Sequence, residues 1–117
     1  MKAFEDLRIW QDAQGIALEI YEMFKDNKDF GFRDQIQRAV IFISNNIAEG
    51  SEYGSDAMMI RYLKTSKGSC GEVKNMLYLC PKLGYCSNEK AVELIGRCKS
   101  LTNAIGAFIA YLANGKK

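Results

Sequence analysis

The stretch Ile43-Ser44-Asn45-Asn46-Ile47-Ala48-Glu49-Gly50-Ser51-Glu52-Tyr53-Gly54-Ser55-Asp56 closes one helical pattern, makes a turn and opens the next. Upstream, Ile36, Ala39, Val40, Ile43 and Ile47 recur at three- and four-residue spacing, which predicts a helix over 32–49 with one buried face. Gly50 is placed as its C-terminal stop. Downstream, Ser55 is a good N-cap, and Asp56 puts a carboxylate in the first turn, where the helix dipole favours it.

The same periodicity extends outward in both directions. Trp10, Ala13, Ala17, Ile20, Tyr21 and Phe24 predict a first helix over 6–26, broken by 27–31. The third helix carries Met59, Tyr62, Leu63, Cys70, Val73, Leu77 and Cys80 toward Leu83 and Gly84, with a kink or frayed end at Pro81, which has no N–H to donate. Ser87 caps a fourth helix bearing Leu94, Ile95, Cys98, Leu101, Ile105, Phe108, Ile109 and Leu112 before Gly115. No segment alternates with period two. The expected fold is all-α, an antiparallel up-down-up-down four-helix bundle occupying 1–117 as a single domain.

Composition removes whole classes of function. The chain has 117 residues, is 48% hydrophobic and 26% charged, and contains no histidine. No apolar run approaches the ~20 residues of a membrane span. Met1-Lys2-Ala3-Phe4-Glu5-Asp6 carries acids where a signal peptide would be apolar, so a cytoplasmic location is expected. Cys70, Cys80, Cys86 and Cys98 form no C-x-x-C pair and are read as reduced core or surface residues, with no metal and no cofactor. There is no phosphate loop, and no Ser–His or Cys–His pairing is available. No catalytic residue is expected.

Net charge is only +2, but the first half of the chain is acidic and the second half basic. Arg61, Lys64, Lys67 and Lys74 fall within an arc of about 140° on the third helix at 3.6 residues per turn. Tyr53, Tyr62 and Tyr78 are near them in sequence. Such a face can track a phosphate backbone, or it can simply be the solvated side of an amphipathic helix.

Two polar segments interrupt the apolar stripes. Glu49 sits near a helix end where the dipole disfavours a carboxylate. With antiparallel neighbours, facing positions on the first two helices sum to about 57, which sets Trp10 beside Ile47 and offers Asn46 or Glu49 as acceptor for the indole N–H. Gly68 and Gly71 each cost up to ~1 kcal/mol against alanine in mid-helix. They imply close approach of another helix or of a nucleic-acid backbone. The same counting sets Ser69 opposite Thr102 and Glu72 opposite Lys99, reading as a packing groove with a salt bridge. Glu49 and Glu72 are expected roughly 15 Å apart along the bundle at 1.5 Å per residue, too far for a paired acid and base.

Surplus apolar positions point to self-association. Ile9, Ile16 and Met23 form a second stripe on the first helix, and 39–43 is apolar all round. Ile60, Met76, Leu79 and Tyr111 add more.

The pattern Phe4-x-Asp6-Leu7-x-x-Trp10, followed by Ser44-x-Asn46-Ile47-Ala48-Glu49-Gly50 and Gly68-Ser69-x-x-Glu72, resembles a known family over nearly the whole chain. It is the four-helix-bundle family encoded in intervening sequences of bacterial 23S ribosomal RNA genes, often labelled S23 ribosomal protein. The accessory variability protein of diversity-generating retroelements is its relative. The resemblance implies a homopentamer, and for the retroelement relative it implies binding of nucleic acid and of a nucleic-acid-processing protein, its reverse transcriptase. Where the family often has arginines after the Gly50 position, this chain has Glu52-Tyr53-Gly54. The functional expectation is a non-enzymatic oligomer that binds RNA through the basic face of the third helix. The alternative is a structural or protein-recruiting scaffold without nucleic acid.

Overall fold

The computed structural model describes residues 3–115, so Met1, Lys2, Lys116 and Lys117 lie outside it. Among the described residues four α-helices make up the fold: α1 (Arg8–Phe24), α2 (Phe30–Glu52), α3 (Asp56–Leu79) and α4 (Asn88–Ala113). A 3-10 turn, Phe4–Asp6, precedes α1. No strand occurs among the described residues.

Local chemistry sets the helix ends. The side chain of Asp29 accepts from Phe32 N at α2, that of Ser55 from Met58 N at α3, and that of Ser87 from Lys90 N at α4. Each satisfies one of the backbone donors a helix start leaves free. α3 ends two residues before Pro81. Beyond it, Tyr85 N–H donates to Cys80 O at 2.8 Å and Gly84 N–H to Pro81 O at 3.2 Å. That pair of bonds is a Schellman closure, and Gly84 takes the left-handed conformation it requires at φ 78°.

The cross-helix contacts are consistent with antiparallel neighbours. Between α1 and α2, Gln14 reaches Ser44 and Phe24 stacks on Phe32. Between α2 and α3, Ser66 Oγ donates to Ile43 O at 2.8 Å while Gln35 reaches Glu72. Between α3 and α4, the Cys70 thiol donates to Cys98 O at 3.4 Å. α4 returns to α1 through Lys90 and Glu19, 2.9 Å apart.

One apolar cluster runs through all four helices, with Ile20, Phe24, Ile36, Ile43, Ile47, Met59, Leu63, Leu77, Leu94 and Ile105 fully enclosed. Truncating such a side chain to alanine typically costs about 2–5 kcal/mol. Ile9 and Ile16 belong to this core, so the expected second stripe of α1 faces inward, with Met23 half-buried beside it. Tyr21, expected inside, is 42% exposed and Leu18 71%. The face of α1 turned to solvent is therefore rotated from the one the spacing selected.

Gly50 does not stop α2. The helix continues through Glu52, and Gly54 makes the turn at φ 74°. Gly50 instead lies at a close approach of α2 and α3: a Cβ there would come within 2.7 Å of Tyr62 Cβ.

Candidate nucleic-acid interface on the third helix

α3 buries Met59, Leu63, Ser66, Cys70, Val73, Met76 and Leu77, and this fixes which residues face outward. Arg61, Lys64, Lys67 and Gly68 are exposed, and Lys74 is half-buried. Among the described residues, no carboxylate lies within ion-pair distance of Arg61, Lys64, Lys67 or Lys74. The cations around α1 are instead neutralised: Arg8 by Asp12, Lys25 by Glu22, and both Lys90 and Arg97 by Glu19. The Lys90 ammonium, bonded to the Glu19 carboxylate, holds that acid below its ordinary pKa. The solvent side of α3 is therefore a field of uncompensated positive charge.

Gly68 and Gly71 sit within that field. A Cβ built on either meets nothing within 4 Å. The expected packing groove against another helix of this chain is not closed there: Gly68 is exposed and Gly71 half-buried, with no side chain of α2 or α4 against either. Helix backbone is instead open to solvent at Gly68, and in part at Gly71, beside the lysines.

Glu72 turns the other way. Its carboxylate accepts from Gln35 of α2, and no salt bridge to Lys99 forms. Ser69 is half-buried and makes no hydrogen bond to Thr102. The axial level counted for α3 against α4 agrees with Cys70 meeting Cys98 O, but Glu72 lies on the α2 edge of α3 and Lys99 does not.

Lys99 was missed as a member of the basic face. Lys67 Nζ lies 3.8 Å from where a Cβ on Gly106 would be. Lys99 stands two turns before Gly106 on the same stripe of α4, along the edge facing α3. Its one signal in the sequence was its place beside Cys98 on a helix whose core side was legible. Choosing the correct edge required the handedness of the bundle.

The Asn46 segment assembles differently from expectation. Asn46 Nδ2 donates to Phe42 O of its own helix at 2.7 Å. Trp10 packs edge-on against Phe4, with centroids 5.5 Å apart, and no indole hydrogen bond to Asn46 or Glu49 is seen among the described residues. Glu49 lines a shallow groove of about 240 Å³ with Phe42, Asn45, Asn46 and Thr65. Glu72 is level with Gln35, fourteen residues from Glu49 along α2, so the two acids stand about 20 Å apart at 1.5 Å per residue. That exceeds the expected separation and gives no acid–base pair.

The cysteines are free thiols, with Cys70, Cys80 and Cys98 buried. No group of three or more His, Cys, Asp or Glu suited to a metal occurs among the described residues. Among the described residues, no helix is long and apolar enough to cross a membrane.

The fold and this surface define an all-helical bundle whose most distinctive exposed feature is a one-sided cationic helix. The chain belongs to the 23S rRNA-intervening sequence protein family, which matches it over residues 5–107. It is similar in structure to a protein of unknown function from the S23 ribosomal protein family of Bacteroides thetaiotaomicron VPI-5482. The two are 21% identical with a TM-score of 0.79, covering 86% of this chain and 97% of that one, a likeness of fold. No curated protein matches the sequence.

Proposed function

We propose that this chain is a single-domain, non-catalytic, self-associating bundle of the cytoplasm that binds RNA through the outer face of α3. The observation that carries the reading is the set Arg61, Lys64, Lys67 and Lys74, unpaired and flanking the bare backbone at Gly68 and Gly71. Elsewhere among the described residues the cations are paired or scattered. The family's link to 23S rRNA supports RNA as the anion. Against catalysis stand the missing histidine and the wide separation of Glu49 from Glu72.

Self-association has its own support. Leu18, Tyr21 and Phe42 are exposed, and Leu18 and Tyr21 border an apolar groove of about 240 Å³ with Ile41. Burying such a face between copies would repeat the α3 surface around a ring, with a pentamer the subunit number the family resemblance implies. Linked weak phosphate contacts multiply in such an array. The scaffold reading draws on the same apolar groove, which would then recruit a protein.

Filter binding with structured RNA at two salt concentrations tests the proposal. Binding that weakens with salt and is lost in a Lys64→Glu, Lys67→Glu double variant is expected. Absence of binding at low salt would contradict the RNA reading and leave the scaffold.

A further inference from the structure

We infer that the strip formed by Lys67, Lys74, Tyr78 and Lys82, bordered by Lys99 of α4, takes unpaired, single-stranded RNA, with one base stacked on Tyr78. This deepens the RNA reading above and rests on it.

Tyr78 carries the inference. Its ring is 48% exposed, and it has neither a hydrogen bond nor an aromatic partner among the described residues. Lys74 and Lys82 stand four residues to either side of it, so both cations share its face. The helical turn continues far enough to hold Lys82 there, since Leu83 N–H donates to Leu79 O at 3.0 Å. Gly71, one turn before Lys74 on the same stripe, leaves the backbone open. Beyond it Lys67 leans toward α4 at Gly106.

The carboxylates of α3 and α4 near this strip point elsewhere or lie at its end. Glu72 bonds to Gln35, Glu93 lies 3.5 Å from Lys90 on the side of α1, and Glu89 occupies the first turn of α4. A duplex keeps its bases stacked on one another and offers this ring no free base face. Single-stranded RNA, by contrast, is held by a charged track together with aromatic rings on which its splayed bases stack. Tyr53 is a poorer platform: one of its faces is covered by Tyr62, 5.4 Å away and 18° from parallel, and the Tyr62 pKa is raised first by its hydrogen bond with Tyr53, then by burial and by nearby Glu49.

The test measures affinity of the full chain for an unstructured RNA oligonucleotide and for a duplex of equal length. Both are repeated with Tyr78→Phe and Tyr78→Ser, alongside fluorescence of a Tyr78→Trp variant read against the wild-type signal of Trp10. Tighter binding of the single strand is expected. Tyr78→Ser should weaken it about tenfold, the order of one base stack, while Tyr78→Phe retains it. The indole of Tyr78→Trp should be quenched by the single strand and not by the duplex. Equal binding of both RNAs with Tyr78→Ser silent would overturn this inference and leave the RNA reading intact. No binding of either RNA at low salt would overturn both.

Discussion

Gly50 of α2 and Tyr62 of α3 approach so closely that a Cβ on residue 50 would come within 2.7 Å of the tyrosine Cβ and 3.2 Å of Met59 Sδ. Gly68 and Gly71 have open space in the same position. The three helical glycines therefore answer oppositely to alanine. Gly50→Ala forces the helices apart and costs about 1–3 kcal/mol, as overpacking does. Gly68→Ala and Gly71→Ala each stabilise by up to ~1 kcal/mol through helix propensity. Urea denaturation of the three variants checks this, and a neutral Gly50→Ala would mean the crossing is looser than described.

The pairing of Tyr85 with Asp29 makes part of the stability depend on pH. The tyrosine hydroxyl, and then Phe32 N–H, donate to the Asp29 carboxylate and hold it below its usual 3.8. A carboxylate depressed in the folded state contributes above the unfolded pKa and loses that contribution as pH falls through the folded one. In Tyr85→Phe, the deficit in melting temperature should be constant near neutrality and shrink as pH drops below about 4. A deficit that grows on acidification would refute the assignment.

The thiols should separate by exposure. Cys86 is half-buried, while Cys70, Cys80 and Cys98 are enclosed, and burial pushes the Cys80 thiol up to about 12. Native protein treated with a thiol reagent should label Cys86 first, the other three following only on unfolding. Rapid labelling of Cys80 in the native state would show that the α3–α4 turn opens.

Helix number and caps were legible because Ser55, Ser87, Gly84 and the three-and-four spacing each act locally. What the spacing could not supply was rotation. Tyr21 and Ile16 lie about 140° apart around α1, and choosing which faces inward requires knowing where α2 and α4 sit. The same gap misassigned Glu72 and Lys99, whose axial levels agree but whose edges do not. Gly50 looked like a stop because a helix end and a close crossing both favour glycine, and only the position of Tyr62 separates the two.

The salt dependence of RNA affinity tests the central claim most directly. If Arg61, Lys64, Lys67 and Lys74 each meet a phosphate of a single strand, log K against log salt should have a slope of about −3 per protomer engaged. Neutralising two of them as Lys64→Gln, Lys67→Gln should reduce that slope by about 1.4. A wild-type slope near zero, or one the double variant leaves unchanged, would contradict RNA binding through α3.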